Sequence, residues 1–138
     1  MKRLSLFLAL IFTICCTAGC ASSDQRNFEK LHKAFQERGA NVEGYEVTDI
    51  EEYDGFDYFC VQVCLNSDDA VTIDDYMWFE AEVMRFYDTE QADAAYQQNQ
   101  QTGLGGTCLR RGNILIYWMD QDPFADLYRE VIESQLGQ

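Results

Sequence analysis

A single histidine, a single proline and ten basic side chains against 24 acidic ones mark this 138-residue sequence. Each scarcity narrows what the chain can do. One histidine, His32, cannot build a His-rich zinc site. A formal charge of −14 leaves no basic surface to displace counterions from phosphates, which argues against nucleic acid as a partner. There is no Cys-x-x-Cys pair, no Gly-rich loop ending in Lys-Ser/Thr, and no serine on a nucleophile elbow. Pro123 is the only proline, and no repeat or low-complexity tract marks an internal linker. What remains is 47% hydrophobic, enough for the core of one domain despite the charge.

The N-terminus reads as an address. Lys2 and Arg3 precede an apolar stretch from Leu4, and small residues lead to Cys20 in the run Thr17-Ala18-Gly19-Cys20. As a helix, Leu4 to Gly19 would reach about 24 Å, short of the roughly 30 Å hydrocarbon core, so a signal peptide fits better than a permanent span. Ala18-Gly19-Cys20 resembles the lipobox of bacterial lipoproteins, with Thr17 where that family most often has leucine. The resemblance implies diacylglyceryl transfer to the Cys20 thiol and cleavage before it. Bulky Ile14 and Cys15 make Cys15 and Cys16 poorer acceptors. The alternative is an ordinary secretory signal cut after Ala21.

Cleavage before Cys20 removes 19 residues, including Lys2 and Arg3 but no acid, so the charge moves from −14 to −16. The expected division is a signal peptide at 1–19, a lipidated tether at 20–26 and one domain at 27–138. An anionic domain beside an anionic bilayer stands off the surface on its tether.

Patterning predicts the order α-β-β-β-α-β-β-α. Phe28, Leu31 and Phe35 recur at helical spacing in Asp24 to Arg38, with serines to cap it and Gly39 to close it. Tyr45 to Tyr53 reads as an edge strand. Tyr58 to Leu65 alternates, with Phe59, Val61, Val63 and Leu65 on one face and Cys60, Gln62 and Cys64 on the other. An acidic loop from Asn66 to Asp75 leads to a strand from Tyr76 to Tyr87, whose faces carry Met77, Phe79, Ala81 and Val83 against Trp78, Glu80 and Glu82. Asp88-Thr89-Glu90-Gln91 opens a helix through Gln100. Thr107 to Arg111 and Asn113 to Asp120 form a hairpin turning at Gly112-Asn113. Asp122 and Pro123 start the last helix, with its apolar stripe from Phe124 to Leu136. The fold class expected is α+β, two-layered, with an antiparallel sheet of four to five strands and the helices on one face.

The step Arg85-Phe86-Tyr87-Asp88-Thr89-Glu90 and the later Arg-x-Gly-Asn-x-x-x-Tyr pattern, Arg110 to Tyr117, together resemble small uncharacterised lipoproteins of Gram-positive bacteria. That resemblance implies an extracytoplasmic lipoprotein and no activity.

Three cysteines follow Cys20. Cys60 and Cys64 lie about 13 Å apart on one strand, too far to bridge each other. Cys108 shares their face, so a disulfide to Cys60 or Cys64 is open, alongside the plainer reading of three packed thiols. Asp68-Asp69 and Asp74-Asp75 lack the spacing of a calcium loop and read as solvated, so no metal or cofactor is expected. His32 sits beside the helical stripe as a boundary residue.

The outer sheet face carries the strongest functional signal, a tryptophan amid polar groups. Trp78, Arg110 and Tyr117 are the binding candidates, against the plainer reading in which Arg110 pairs with Glu80 or Glu82 across strands and a loop covers Trp78. These observations favour a membrane-anchored envelope lipoprotein whose domain binds or regulates a protein partner without catalysis. The competing class is a thiol or redox protein using Cys60 or Cys64. A small-molecule binder would need an enclosed pocket.

Overall fold

A computed structural model describes residues 22–66, 76–103 and 105–137. Cys20, the segment read as a signal peptide and most of the acidic loop lie outside the described residues. The chain runs α1 (Ser23–Gly39), β1 (Tyr45–Val47), β2 (Glu51–Tyr53), β3 (Phe56–Asn66), β4 (Tyr76–Phe86), α2 (Thr89–Thr102), β5 (Gly106–Arg111), β6 (Ile114–Met119) and α3 (Ala125–Leu136). This is the α+β antiparallel architecture read from the sequence.

The strands lie in the order β1-β3-β4-β6-β5, and β2 shares the outer edge of β3 with β1. The segment read as one strand, Tyr45 to Tyr53, is therefore two short ones. It parts at Thr48, whose N–H donates to the Cys60 carbonyl at 2.9 Å while its hydroxyl accepts the Cys60 N–H, also at 2.9 Å. His32 donates to the Thr48 carbonyl at 2.8 Å and sets its ring against Phe59, pinning α1 to the same bend. His32 is thus the boundary residue expected of it. Ser22 caps α1 through its hydroxyl on Gln25 N–H. Ser23 to Arg26, counted with the tether above, form the first turn of this helix.

Gly39 has a different purpose from the helix stop inferred above. It is the last helical residue, and a Cβ there would stand 1.7 Å from the Tyr45 ring. Gly112 is a turn glycine in the ordinary sense, with φ +60°, and its bare Cα also leaves room for the Asp24 carboxylate.

The main core lies between the sheet and the α1–α3 pair. Phe28, Leu31 and Phe35 from α1 meet Phe59, Val61, Ala81, Val83, Ile114, Ile116 and Trp118 from the strands, with Tyr128, Val131 and Ile132 from α3. Phe59 is its hub, fully buried, with ring centroids 5.1 Å from Phe28 and 6.2 Å from Phe35. At one end of this face Asp57 accepts Arg85 Nε at 3.0 Å, Arg85 Nη2 and the Tyr87 hydroxyl. Both members of that ion pair are nearly buried, and their shared hydrogen bonds offset the cost of desolvating them.

The expectation that every helix covers the same face holds for α1 and α3 only. Because successive side chains of β6 point to opposite faces, Leu115 and Tyr117 look away from the core that takes Ile114, Ile116 and Trp118. Ala92, Ala95 and Tyr96 of α2 cover Leu115 and Cys108 there, forming a second, smaller cluster.

Truncating the hub, Phe59→Ala, is expected to cost about 3–5 kcal/mol in denaturant unfolding. Tyr45→Phe should behave oppositely. Its hydroxyl is the one buried side-chain polar atom without a hydrogen-bond partner among the described residues. Removing it should leave stability unchanged or raise it by up to about 2 kcal/mol.

Candidate functional site

The outer face is divided by α2. Near β5 the helix seals the sheet. Toward the Tyr76 end of β4 none of the described residues covers the outer face, and a groove of about 500 Å³ opens there. Trp78, 59% exposed, forms one wall with Glu80 and Glu82 beside it on β4. Tyr117 and Met119 on β6 form the floor, and Asp122 closes the end where the chain turns into α3.

Local rules place each of these side chains. Trp78, Glu80 and Glu82 share a face by strand alternation, as do Tyr117 and Met119. The register sets Cys64 opposite Trp78, Gln62 opposite Glu80, and Cys60 opposite Glu82, which in turn faces Tyr117. Gln62 holds Glu80 with an amide hydrogen bond of 2.9 Å. The Tyr117 ring lies over Gly106, where a Cβ would come within 2.3 Å of it, so only glycine admits the ring. Its hydroxyl lies 3.2 Å from the Met119 sulfur.

Asp122 is 5% exposed and accepts the Phe124 N–H at 2.8 Å and the Tyr128 hydroxyl at 3.1 Å. Burial pushes its carboxyl above the ordinary range, and those two hydrogen bonds partly counter the rise. In the sequence it reads as the cap of the last helix; in the structure it braces the turn before α3, with Phe124 at the N-cap position.

Two of the three binding candidates, Trp78 and Tyr117, therefore line one groove. Arg110 does not join them. β6 lies between β5 and β4, which puts Arg110 two strand spacings, about 10 Å, from the β4 backbone that bears Glu80 and Glu82. Its guanidinium instead pairs with Asp93 on α2 and reaches the Gly112 carbonyl at 2.8 Å. It is a fastener for α2, and the cross-strand pairs to Glu80 or Glu82 do not form.

The possible disulfide fails for the same reason. Cys60, Glu82, Tyr117 and Cys108 stand in one row across four strands, so the cysteines share a face as the alternation requires. Three strand spacings, about 14 Å, separate Cys108 from β3, which is beyond disulfide reach. Cys60 and Cys108 are both buried as thiols. Burial raises the Cys60 thiol to about 11, with Glu80 and Glu82 adding to the rise and a Tyr58 hydrogen bond countering it. Burial raises Cys108 as well.

Met119 and Asp122 were not among the sequence candidates. Alternation from Leu115 through Tyr117 would have put Met119 on the outer face, but nothing local showed that the chain turns back beside Trp78. No cluster of three or more metal-ligating side chains occurs among the described residues. Comparison with family models, curated proteins and solved structures finds no match for this chain.

Because the Cys60 pKa is raised to about 11, the alkylation rate of Cys60 in the native protein should level off only near pH 11, while in the unfolded chain it levels off at about pH 8.5. Asp122 sets a second pH dependence. Its folded pKa is raised, so the native state holds that proton more tightly than the unfolded state. The stability it contributes is complete below the ordinary carboxylate pKa and is lost as pH rises through the raised value. Wild type should lose stability relative to Asp122→Asn between pH 3 and 7, as read from paired denaturant titrations.

Proposed function

We propose that this protein is a membrane-anchored lipoprotein of the bacterial cell envelope, held by lipid on Cys20. Its domain binds or regulates another envelope component without catalysis. The lipobox-like run before Cys20 carries the anchor. The observation that carries the binding role is the groove, where Trp78, Tyr117 and Met119 offer apolar surface beside the carboxylates of Glu80, Glu82 and Asp122. Aromatic residues are enriched in the cores of protein interfaces, and Trp78 is more than half exposed beside this recess. The groove is partly open to solvent, which suits a protein segment better than an enclosed small molecule. Of the two thiols in the competing thiol or redox reading, Cys60 is buried and held protonated, which weighs against its use because the thiolate is the reactive form, while Cys64 is only half-buried.

Two measurements on cells test this. The intact mass of the membrane form should carry acyl chains on Cys20, and Cys20→Ala should release the protein from the membrane. A photoreactive residue at position 119 should crosslink a discrete envelope partner. That crosslink should disappear with Trp78→Ala and persist in a Cys60→Ala, Cys64→Ala double variant. A crosslink that survives Trp78→Ala, or depends on the thiols, would overturn the reading.

A further inference from the structure

We infer that the groove receives an extended, lysine- or arginine-bearing segment of a partner protein, which pairs with the open edge of β4 as an added strand. This rests on the binding role proposed above and specifies its occupant.

The edge arises from unequal strand lengths. β4 has 11 residues and is paired along its whole length with β3, but β6 has six and meets only Ala81 to Arg85. After Met119 the chain leaves the sheet in a turn closed by the Asp122 N–H on the Met119 carbonyl at 3.0 Å. It then passes to the core side, where Phe124 packs on Phe79 with ring centroids 5.9 Å apart. The alternation that joins the Phe86 N–H to the Asn113 carbonyl aims the Met119 N–H at Glu80, so among the described residues the β6 side of β4 is without a strand partner only from Tyr76 to Phe79. That leaves about 13 Å of strand edge at 3.3 Å per residue, in the lane that β6 vacates. Unpaired N–H and C=O groups in a row are a template for a further strand.

Charge selects the occupant. Among the described residues, the side chains beside this lane include three carboxylates, Glu80, Glu82 and Asp122, and no basic group. An extended segment in the vacated lane presents every second side chain to the outer face. A cation there meets the Trp78 ring and the Glu80 carboxylate together, gaining a cation–π contact and a charge-assisted hydrogen bond. A second copy of this chain would bring the same carboxylates and its own charge of −14 against them, which disfavours edge-to-edge dimers.

The test uses the full-length chain in a non-ionic detergent and an acetylated, amidated Val-Lys-Val-Lys-Val peptide. Binding should change Trp78 fluorescence and slow amide exchange in residues 76–79. A Glu80→Gln, Glu82→Gln variant should bind at least about tenfold more weakly, and added salt should weaken binding further. N-methylation of one alternate set of peptide amides should abolish binding, while methylation of the other set leaves it intact. Equal binding of the glutamate counterpart would overturn the inference. So would indifference to both methylation patterns, unchanged exchange at residues 76–79, or self-association that protects those amides without peptide. If the Trp78-dependent crosslink forms in cells while the lysine peptide stays inert, the binding role stands and this occupant is wrong. If the peptide binds but no such crosslink forms, the groove chemistry holds and the envelope role falls.

Discussion

Eleven consecutive rungs join β3 to β4, from Phe56 opposite Phe86 to Asn66 opposite Tyr76, and the other elements depend on that ladder. One face of it supplies Phe59, Val61, Ala81 and Val83 to the core, with Phe59 meeting α1 through Phe28, His32 and Phe35. Its edges then recruit shorter strands, β1 and β2 along β3 and β6 along part of β4. A long antiparallel ladder whose core face is apolar apart from the Asp57–Arg85 pair has a single workable register, because a one-residue slip would turn Phe59 and Val61 into solvent.

β6 is the strand on which two helical layers meet. It buries Ile114, Ile116 and Trp118 under α1 and α3, and Leu115 under α2 on the opposite side. Such double use consumes the apolar side chains of a short strand and leaves little to cover the rest of the outer face. α2 contributes only Ala92 as a fully buried residue, and Arg110 tethers it through Asp93. The bare half of the sheet is the half that α2 is too lean in apolar residues and too far toward β5 to reach.

The groove follows from this economy. Where β6 stops and β4 continues, Trp78 and Met77 remain largely exposed on opposite faces of the overhang. Carboxylates around Trp78 disfavour pairing of that overhang with another copy, a form of protection that edge strands commonly use. The same charges make it receptive to a cationic strand. Protection against the wrong partner and attraction of the right one thus reside in the same side chains.

Periodicity in the sequence determined the helices, the long strands and which residues share a face, because each of these is a local consequence of 3.6- or 2-residue repetition. Phe59 facing the core with Val61, Trp78 facing out with Glu80, and the turn at Gly112 were all legible in that way. The neighbours of each strand were not, since strand order joins residues far apart in the chain. Arg110 and Cys108 were placed on the correct face, yet β6 and β4 stand between Cys108 and β3, beyond disulfide reach, and Arg110 turns to Asp93 on α2 instead of crossing β6 to β4. The split at Thr48 and the crossing of α2 to the outer face also depend on contacts that no local pattern records. Local alternation decides which way a side chain points. Only the tertiary structure decides what it meets, because that depends on the sheet order and on where the shorter strand ends.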